Sequence, residues 1–231
     1  MRFFYGAVAM WLAIVPCSRA GSSSIQWAPT SGLVGYWPFD ESSGSIAHDG
    51  SGSGNNGTLL CKFNCSLPSW IAGIRHGALM FSSNNQSVSV PDSPSLNFSG
   101  KFTISFWLYK SAGASNLYYF VKGSSIAIST ASPESEMHAA LYNGGSQVAR
   151  CAIKGVLDQT WQHFAITFDG SNIVFYVNGA LNTTCSAAAA AGMPFSGAVS
   201  MGGLNPANPT GILDEVRIYS RALSAQEVLA L

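Results

Sequence analysis

The sequence predicts an all-β protein, built as a two-sheet antiparallel sandwich with one short helix at its C-terminus. Short runs of apolar, aromatic and β-branched residues follow one another along the chain, and clusters of Gly, Asn, Asp and Ser separate them. Several of these runs alternate between apolar and polar positions, as strands over a core do. No stretch before the last residues has the pattern of a helix, and many strands without helices are typical of a sandwich.

The first 20 residues have the pattern of a secretory signal peptide. Arg2 precedes an apolar run over residues 3–15, and small residues lead up to Ala20, after which we expect cleavage. The run is shorter than the ~20 residues that span a bilayer, and Pro16 before Cys17 fits a lipoprotein signal poorly. A membrane anchor and a lipoprotein are the alternatives, and no later stretch could span a membrane. The prediction is therefore an exported protein, secreted to the extracellular space or the periplasm.

The mature chain is nearly neutral, which argues against nucleic acid as a partner. Removal of residues 1–20 takes away Arg2 and Arg19 and no acid, so the formal net charge changes from 0 to −2. Nucleic acid requires a basic face. The remaining residues are enough for one sandwich that buries roughly 70% of its surface. We expect a short leader over residues 21–31 and one domain over residues 32–231.

The first half of the domain contains one long alternating segment among several shorter apolar ones. Residues 102–109 place Phe102, Ile104, Phe106 and Leu108 on one side. Residues 34–39 are apolar and aromatic, and a polar loop rich in Gly, Ser and Asn follows them over residues 40–57. The other strand candidates here are residues 58–60, 78–81 and 87–90.

The second half contains the clearest turn signals. Residues 161–168 and 172–177 alternate and are joined by Asp169-Gly170, and Asn178-Gly179 leads on to residues 180–185. Asp-Gly and Asn-Gly supply the positive φ angles of tight hairpins, so three antiparallel strands are predicted in succession. The other strand candidates are residues 117–121, 126–129, 137–142, 147–153, 198–202 and 211–219, with a hairpin turn at residues 143–145.

Two further segments complete the secondary-structure prediction. The alanine run at residues 187–191 is short and is followed by Gly192 and Pro194, so we expect a loop there. Ser224 and Glu227 have the spacing of a capping box, which predicts a single short helix at the end of the chain.

Four cysteines remain after cleavage, namely Cys61, Cys65, Cys151 and Cys185. An even number in an exported protein indicates two disulfides. Of the three pairings, Cys61–Cys65 with Cys151–Cys185 is preferred, and the second bond would contribute ~3–4 kcal/mol by closing a long loop. The alternative is a four-cysteine zinc site, although such sites usually have two close cysteine pairs and only one is present here.

Three groups of short motifs follow one another along the domain. They are GLVGYWPFD at 32–40 with DGSGSGNNG at 49–57, FTISFW at 102–107 with WQHFAITFD at 161–169 and YVNG at 176–179, and GILDEVRIY at 211–219 followed by SRALS. Together they resemble the laminin-G-like jelly-roll family of the concanavalin A-like lectin/glucanase superfamily. The resemblance implies a two-sheet jelly roll whose first and last strands are neighbours. It also implies binding of sugars or proteins as the usual function.

The resemblance further implies a calcium ion between the loop near the start of the domain and the last strand. Asp49 and Asp214 would be carboxylate ligands, the carbonyl of Asn56 a third ligand and Asp40 a fourth. Oxygen ligands of this kind suit Ca²⁺. In the alternative interpretation Asp49 and Asp40 cap turns, and Asp214 pairs with Arg217 or accepts from a backbone N–H. A different ion at the same place is the remaining alternative.

A carbohydrate site requires aromatic side chains on an outward face of a sheet. The available aromatic residues are Trp107, Tyr109, Tyr118, Tyr119, Tyr142 and Trp161. Of these we predict Trp107, Tyr109, Tyr142 and Trp161 as ligand-binding residues, and we assign Trp37 to the core. No catalytic residues are predicted: the chain lacks the Glu-x-Asp-x-x-Glu motif of the related glucanases and a Gly-x-Ser-x-Gly elbow. His163 lies beside Trp161 in a predicted strand, and we expect it to be packed.

The sequence thus predicts a secreted, non-catalytic module that binds carbohydrate or a glycosylated surface and contains a structural calcium ion. The alternatives are a protein-interaction or adhesion module that binds no sugar, and a glycan-active enzyme.

Overall fold

The computed structural model describes residues 28–63, 65–83, 85–114, 117–131, 136–202 and 211–231. The predicted signal peptide (residues 1–20) and residues 21–27 of the predicted leader lie outside these ranges, so both assignments stay predictions. Residues 28–31 contact the domain. The Tyr219 hydroxyl donates to the carbonyl of Pro29 (2.9 Å), and Nε of Arg221 donates to the carbonyl of Ser31 (2.7 Å).

The described residues form 18 strands. In chain order the first nine are β1 (Leu33–Trp37), β2 (Ile46–Ala47), β3 (Gly57–Cys61), β4 (Ser69–Ala72), β5 (Gly77–Phe81), β6 (Gln86–Val90), β7 (Phe98–Ser99), β8 (Phe102–Lys110) and β9 (Tyr118–Lys122). The other nine are β10 (Ile126–Ala131), β11 (Glu136–Asn143), β12 (Ser146–Ile153), β13 (Trp161–Phe168), β14 (Asn172–Val177), β15 (Ala180–Ser186), β16 (Pro194–Phe195), β17 (Val199–Met201) and β18 (Gly211–Tyr219).

Two large antiparallel sheets form the sandwich, which confirms the predicted fold class. The first sheet has the order β15-β14-β13-β8-β18-β5-β4, and β1 also pairs with β18. The second sheet has the order β12-β11-β10-β9-β17-β6-β3-β2, and β16 with β7 forms a small third sheet. The pairing of β1 with β18 makes the first and last large-sheet strands of the domain neighbours, as the resemblance implied.

The core lies between the inner faces of the two sheets. Phe102, Ile104, Phe106 and Leu108 are all buried there, so the alternation of this segment was interpreted correctly. Trp37 is fully buried as well, and its indole N–H donates to the carbonyl of Asn55 (2.9 Å). A buried indole with a satisfied N–H is typical of a core tryptophan.

The only α-helix among the described residues is α1 (Ala225–Leu229). Ser224 and Glu227 form the predicted capping box, and Val228 packs with Tyr176 and Tyr219 on the outer face of the first sheet. Two short 3-10 helices occur at Pro94–Leu96 and Ala188–Ala190. The second replaces the expected loop by a single turn, because the run folds inward and buries Ala190. No described helix is long and apolar enough to cross a membrane.

Both disulfides of the preferred pairing are present. Cys61–Cys65 closes a loop of four residues, and Cys151–Cys185 joins positions 34 residues apart. Cys151 lies in β12 and Cys185 in β15, which are the edge strands of the two large sheets. The second disulfide therefore fastens the two sheets together along one side of the sandwich.

The short strands β2, β4, β7 and β16 were not predicted. Each has four residues or fewer, which is too few to show an alternating pattern. β2 and β4 pair with the longer strands β3 and β5, whereas β7 and β16 pair only with each other.

Candidate functional site

The Asp49 carboxylate is the centre of the loop that follows β1. Its Oδ1 accepts from the backbone N–H of Tyr36 (2.9 Å) and of Ser51 (2.8 Å). Its Oδ2 accepts from the hydroxyl of Ser51 (2.8 Å) and the N–H of Asn55 (2.9 Å). The N–H of Asp49 itself donates to Oδ1 of Asn56 (2.9 Å). Asp49 thus ties the glycine-rich loop to the first strand.

Asp214 is fully buried in β18 and is held by the turn between β4 and β5. Its Oδ2 accepts from the backbone N–H of Ile74 (2.9 Å) and of Arg75 (3.1 Å). Burial raises the pKa of this carboxyl to about 6, although the backbone donors oppose the shift. The ion-pair partner of Arg217 is Glu215. Of the two alternatives for Asp214, acceptance from backbone N–H groups is therefore the observed one.

Asp40 lines a cavity of about 340 Å³ at the end of the first sheet, together with Glu41, Trp70 and His76. Its Oδ1 accepts from the backbone N–H of Gly77 (2.9 Å), which fixes the chain after β1 to the start of β5. Two acidic side chains, an indole and an imidazole therefore contribute to its lining.

These residues, as placed, do not fit the implied calcium site. Both oxygens of Asp49 already accept two hydrogen bonds each, and the N–H groups around it would repel a cation. Within the described ranges no group of three or more His, Cys, Asp or Glu side chains could hold a metal ion. The hydrogen bonds of Asp49, Asp40 and Asp214 match the turn-capping interpretation. Calcium binding by Asp49, Asn56, Asp214 and Asp40 stays a prediction.

The outer face of the first sheet contains a cluster of buried polar atoms. Oγ of Ser105, Nε1 of Trp107, Nε2 of His163 and Oδ1 of Asp214 are buried and have no hydrogen-bond partner in the described part of the chain. Trp107 lies directly between His163 and Asp214 in the strand register. Burial, followed by the charges of Arg217 and Arg75, lowers the pKa of His163 to about 4. His163 is therefore packed and neutral at physiological pH, as expected from the sequence.

Three of the four predicted ligand-binding residues lie together on this same face. Tyr109 and Trp161 are opposite each other in β8 and β13, with ring centroids 5.7 Å apart. Trp107 stacks obliquely with His163 at 5.3 Å. All three predicted side chains are partly exposed, but they line neither the groove on the second sheet nor the cavity at Asp40.

Tyr142, the fourth predicted residue, lies on the second sheet and cannot belong to the same site as the other three. It lines a groove of about 420 Å³ on the outer face of that sheet. The groove lies between the β9–β10 and β11–β12 turns, and its lining consists of Tyr118, Val121, Gly123, Ser124, Ile126, Ala127, Tyr142 and Gly145. Two tyrosines thus flank a floor of small and apolar side chains.

Of the rest of this groove, the sequence offered only Tyr118, as one of six available aromatic residues, and did not select it. Tyr118 lies next to a β-bulge in β9. Ile128 of β10 is opposite Phe120 and the next residue, Ser129, is opposite Tyr118, so Tyr119 is the extra residue. A bulge reverses the alternation, so the outward position of Tyr118 could not be derived from its neighbours. Ala127 and the glycines leave room for a ligand because their side chains are small, and no sequence pattern marks such positions.

A polar cluster borders the groove on the same face of the second sheet. The Ser129 hydroxyl is hydrogen-bonded to Nε2 of His138 (2.8 Å), and NH2 of Arg150 donates to Oε1 of Glu136 (3.0 Å). Burial, and next the Arg150 guanidinium, lower the pKa of His138. His138 is therefore neutral at pH 7, and Arg150 and Glu136 are the charged members of the cluster.

The comparisons with known proteins agree with this architecture. Residues 82–229 match the laminin-G family described as the concanavalin A-like lectin/glucanases superfamily. Since the match spans more than half of the chain, the protein belongs to this family. No curated protein sequence matches the chain.

Solved structures with the same fold include binding domains of bacterial toxins. The binding domain of Paraclostridial Mosquitocidal Protein 1 is 21% identical, with a TM-score of 0.68 over 86% of this chain and 51% of that one. The botulinum neurotoxin serotype D ligand binding domain in complex with N-acetylneuraminic acid is 13% identical, with a TM-score of 0.68 over 87% and 50%. The chain spans about half the length of these toxin domains.

A third similar structure is matched over nearly its whole length. It is Domain 4 of AbnA, a GH43 extracellular arabinanase from Geobacillus stearothermophilus, in complex with arabinotriose. It is 17% identical, with a TM-score of 0.62 over 86% of this chain and 97% of that domain. At such low identity these structures establish the fold that the chain shares with them.

Proposed function

We propose that the protein is a non-catalytic carbohydrate-binding module and that the groove on the second sheet is its binding site. The observation that carries the proposal is the pair Tyr118 and Tyr142, which flank a floor formed by Val121 and Ala127. Tyrosine combines a flat apolar ring with a polar hydroxyl, which suits a sugar ring with its apolar face and its rim of hydroxyls. A groove of this size, apolar with a few polar groups, is typical of small-ligand sites.

The chemistry of the groove supports binding rather than hydrolysis. Glycoside hydrolysis generally requires two carboxyl groups on either side of the scissile bond. None of the described residues that line the groove is an acid or a histidine. Glu136 lies on the same face, but it is engaged by Arg150.

The solved structures with this fold support a sugar ligand in particular. The arabinanase domain is described in complex with arabinotriose and the serotype D domain with N-acetylneuraminic acid. Both are saccharides, and the arabinanase domain is covered almost completely by the match. We carry the class of ligand, a saccharide, over to this chain.

Export is part of the same proposal. Two disulfides join four cysteines of the domain, and such bonds are typical of oxidising compartments outside the cytosol. With the predicted signal peptide at residues 1–20, they support a protein that binds glycans in the extracellular space or the periplasm. A structural calcium ion stays a separate prediction.

A glycan array with purified protein tests the function, and titration calorimetry with the best glycan tests the site. We expect Tyr142→Ala and Tyr118→Ala each to weaken binding at least tenfold, about 1.4 kcal/mol. Tyr142→Phe keeps the ring and should retain most of the affinity. Tyr109→Ala on the first sheet is the matched control and should leave binding unchanged.

Two results would contradict the proposal. Absence of binding to every glycan would favour the protein-interaction alternative. A loss of binding in Tyr109→Ala that is larger than the loss in Tyr142→Ala would place the site on the first sheet.

A further inference from the structure

The floor of the groove continues across the second sheet to a charged side chain. In the strand register Val121 is opposite Ala127, Ala127 is opposite Ala140, and Ala140 is opposite Arg150. Directly opposite residues of an antiparallel pair point to the same face of the sheet. Arg150 therefore stands at the end of a row of small side chains that begins inside the groove.

The guanidinium of Arg150 has hydrogen-bonding capacity left for a ligand. Its NH2 donates to Oε1 of Glu136 (3.0 Å) and contacts Nδ1 of His138 at 3.4 Å. Its NH1 and Nε have no partner among the residues that the structure describes. An arginine with a free N–H edge matches the geometry of a carboxylate or sulfate group.

The Arg150 guanidinium is the more exposed member of its ion pair with Glu136. The Arg150 side chain is 42% exposed, whereas the Glu136 side chain is 17% exposed. A ligand that approaches from solvent therefore reaches the cation more readily than the anion. His138 adds no charge at neutral pH, because it is half-buried beside the guanidinium and bonded to Ser129.

We propose that the groove is selective for acidic oligosaccharides, whose carboxylate or sulfate group binds Arg150 while a neighbouring sugar ring lies between Tyr118 and Tyr142. This inference rests on the proposed carbohydrate-binding function of the same groove. It adds a specificity-determining residue and a chemical class of ligand: chains that carry an anionic substituent next to an apolar ring face. An extended ligand that crosses β9, β10, β11 and β12 would contact both parts.

The test compares glycans that differ only in their charge. Three probe pairs are suitable: oligogalacturonate with its methyl ester, sialyllactose with lactose, and a sulfated galactan oligosaccharide with its unsulfated form. We expect the acidic member of at least one pair to bind at least tenfold more tightly. Comparison of the pairs separates carboxylate from sulfate recognition.

Two matched variants locate the effect. Arg150→Gln should reduce binding of the acidic probe to the level of its neutral partner, with no change for the neutral probe. Glu136→Gln frees the guanidinium and should tighten binding of the acidic probe severalfold. An unchanged melting temperature in both variants excludes a folding defect, and their opposite effects cannot arise from one.

The outcomes distinguish this inference from the function on which it depends. Equal binding of acidic and neutral probes, lost in Tyr142→Ala and unaffected by Arg150→Gln, would overturn the selectivity and leave the carbohydrate-binding function intact. Absence of binding to every probe would overturn both. Acidic binding that requires Arg150 but tolerates Tyr142→Ala would overturn the common site.

Discussion

Cys151 and Cys185 connect the edge strand of one sheet to the edge strand of the other. Cys151 lies in β12, the strand that also contains Arg150, and Cys185 lies in β15. The disulfide thus closes one side of the sandwich next to the face that bears the groove. Arg150, the residue proposed to select acidic ligands, is thus the direct neighbour of a disulfide cysteine in the chain.

Loss of this bond should destabilise the domain more than loss of the other one. By the chain-entropy model, a loop of 34 residues contributes about 4 kcal/mol and a loop of four residues about 2 kcal/mol. We expect Cys151→Ala/Cys185→Ala to lower the free energy of unfolding by roughly twice as much as Cys61→Ala/Cys65→Ala. Urea unfolding measures both, and equal losses would contradict the proposed role of the longer loop.

The strands could be derived from the sequence wherever alternation and turns agreed. The segments around Phe164 and Phe175 are examples, because Asp-Gly and Asn-Gly fixed both their ends and their order. The binding face could not be derived in the same way. The sequence predicted Trp161 and Tyr142 on an outward face, but not that they lie on opposite sheets. That distinction depends on strand order, which is set by contacts between residues far apart in the chain.

His163 should make the domain sensitive to acid. Its pKa is lowered to about 4 in the folded protein, whereas an ordinary histidine in the unfolded chain titrates near 6.5. The folded state therefore binds the proton less well, and stability present above pH 6.5 is lost as the pH falls toward 4. The difference of two to three pKa units between the folded and unfolded states corresponds to a loss of roughly 3 kcal/mol in the free energy of unfolding.

The variant His163→Gln isolates this contribution, because its amide does not titrate. Urea unfolding at a series of pH values should show wild type losing about 3 kcal/mol more than the variant between pH 7 and pH 4. At pH 7 the difference in free energy of unfolding between wild type and His163→Gln reflects the change in packing alone, and it serves as the reference. Parallel pH profiles for the two proteins would mean that the imidazole is hydrated in solution.

A chelator separates the two interpretations of Asp49. A calcium ion that binds only the folded protein must raise its melting temperature. If Asp49 binds calcium, a chelator should therefore lower the melting temperature of the wild type and leave that of Asp49→Asn unchanged. The hydrogen bonds from Tyr36 and Ser51 favour the other outcome. In that case chelation leaves the melting temperature unchanged, and Asp49→Ala lowers it equally with and without calcium. Scanning calorimetry of the wild type and the two variants, each in calcium and in chelator, makes the comparison.

The ion pair of Glu215 with Arg217 should be essential to the last strand. Both side chains are buried, and the Tyr36 hydroxyl donates to Oε1 of Glu215 (2.8 Å). The Arg217 guanidinium also lies over the Tyr36 ring, 4.2 Å from its centroid. Glu215 has a positive φ of 56°, at the irregularity in the pairing of β18 with β8. The three side chains hold β1 against the last strand at that irregularity.

Removing one charge of this pair leaves the other buried without a counterion, which costs about 3–5 kcal/mol. We therefore expect Glu215→Gln to lower the free energy of unfolding by that amount. The double variant Glu215→Gln/Arg217→Met removes both charges, so it should be more stable than Glu215→Gln alone. Tyr36→Phe removes one hydrogen bond to a charged group and should cost about 1.5–3 kcal/mol. If the double variant is less stable than Glu215→Gln, the guanidinium stabilises the fold through the Tyr36 ring more than through the carboxylate.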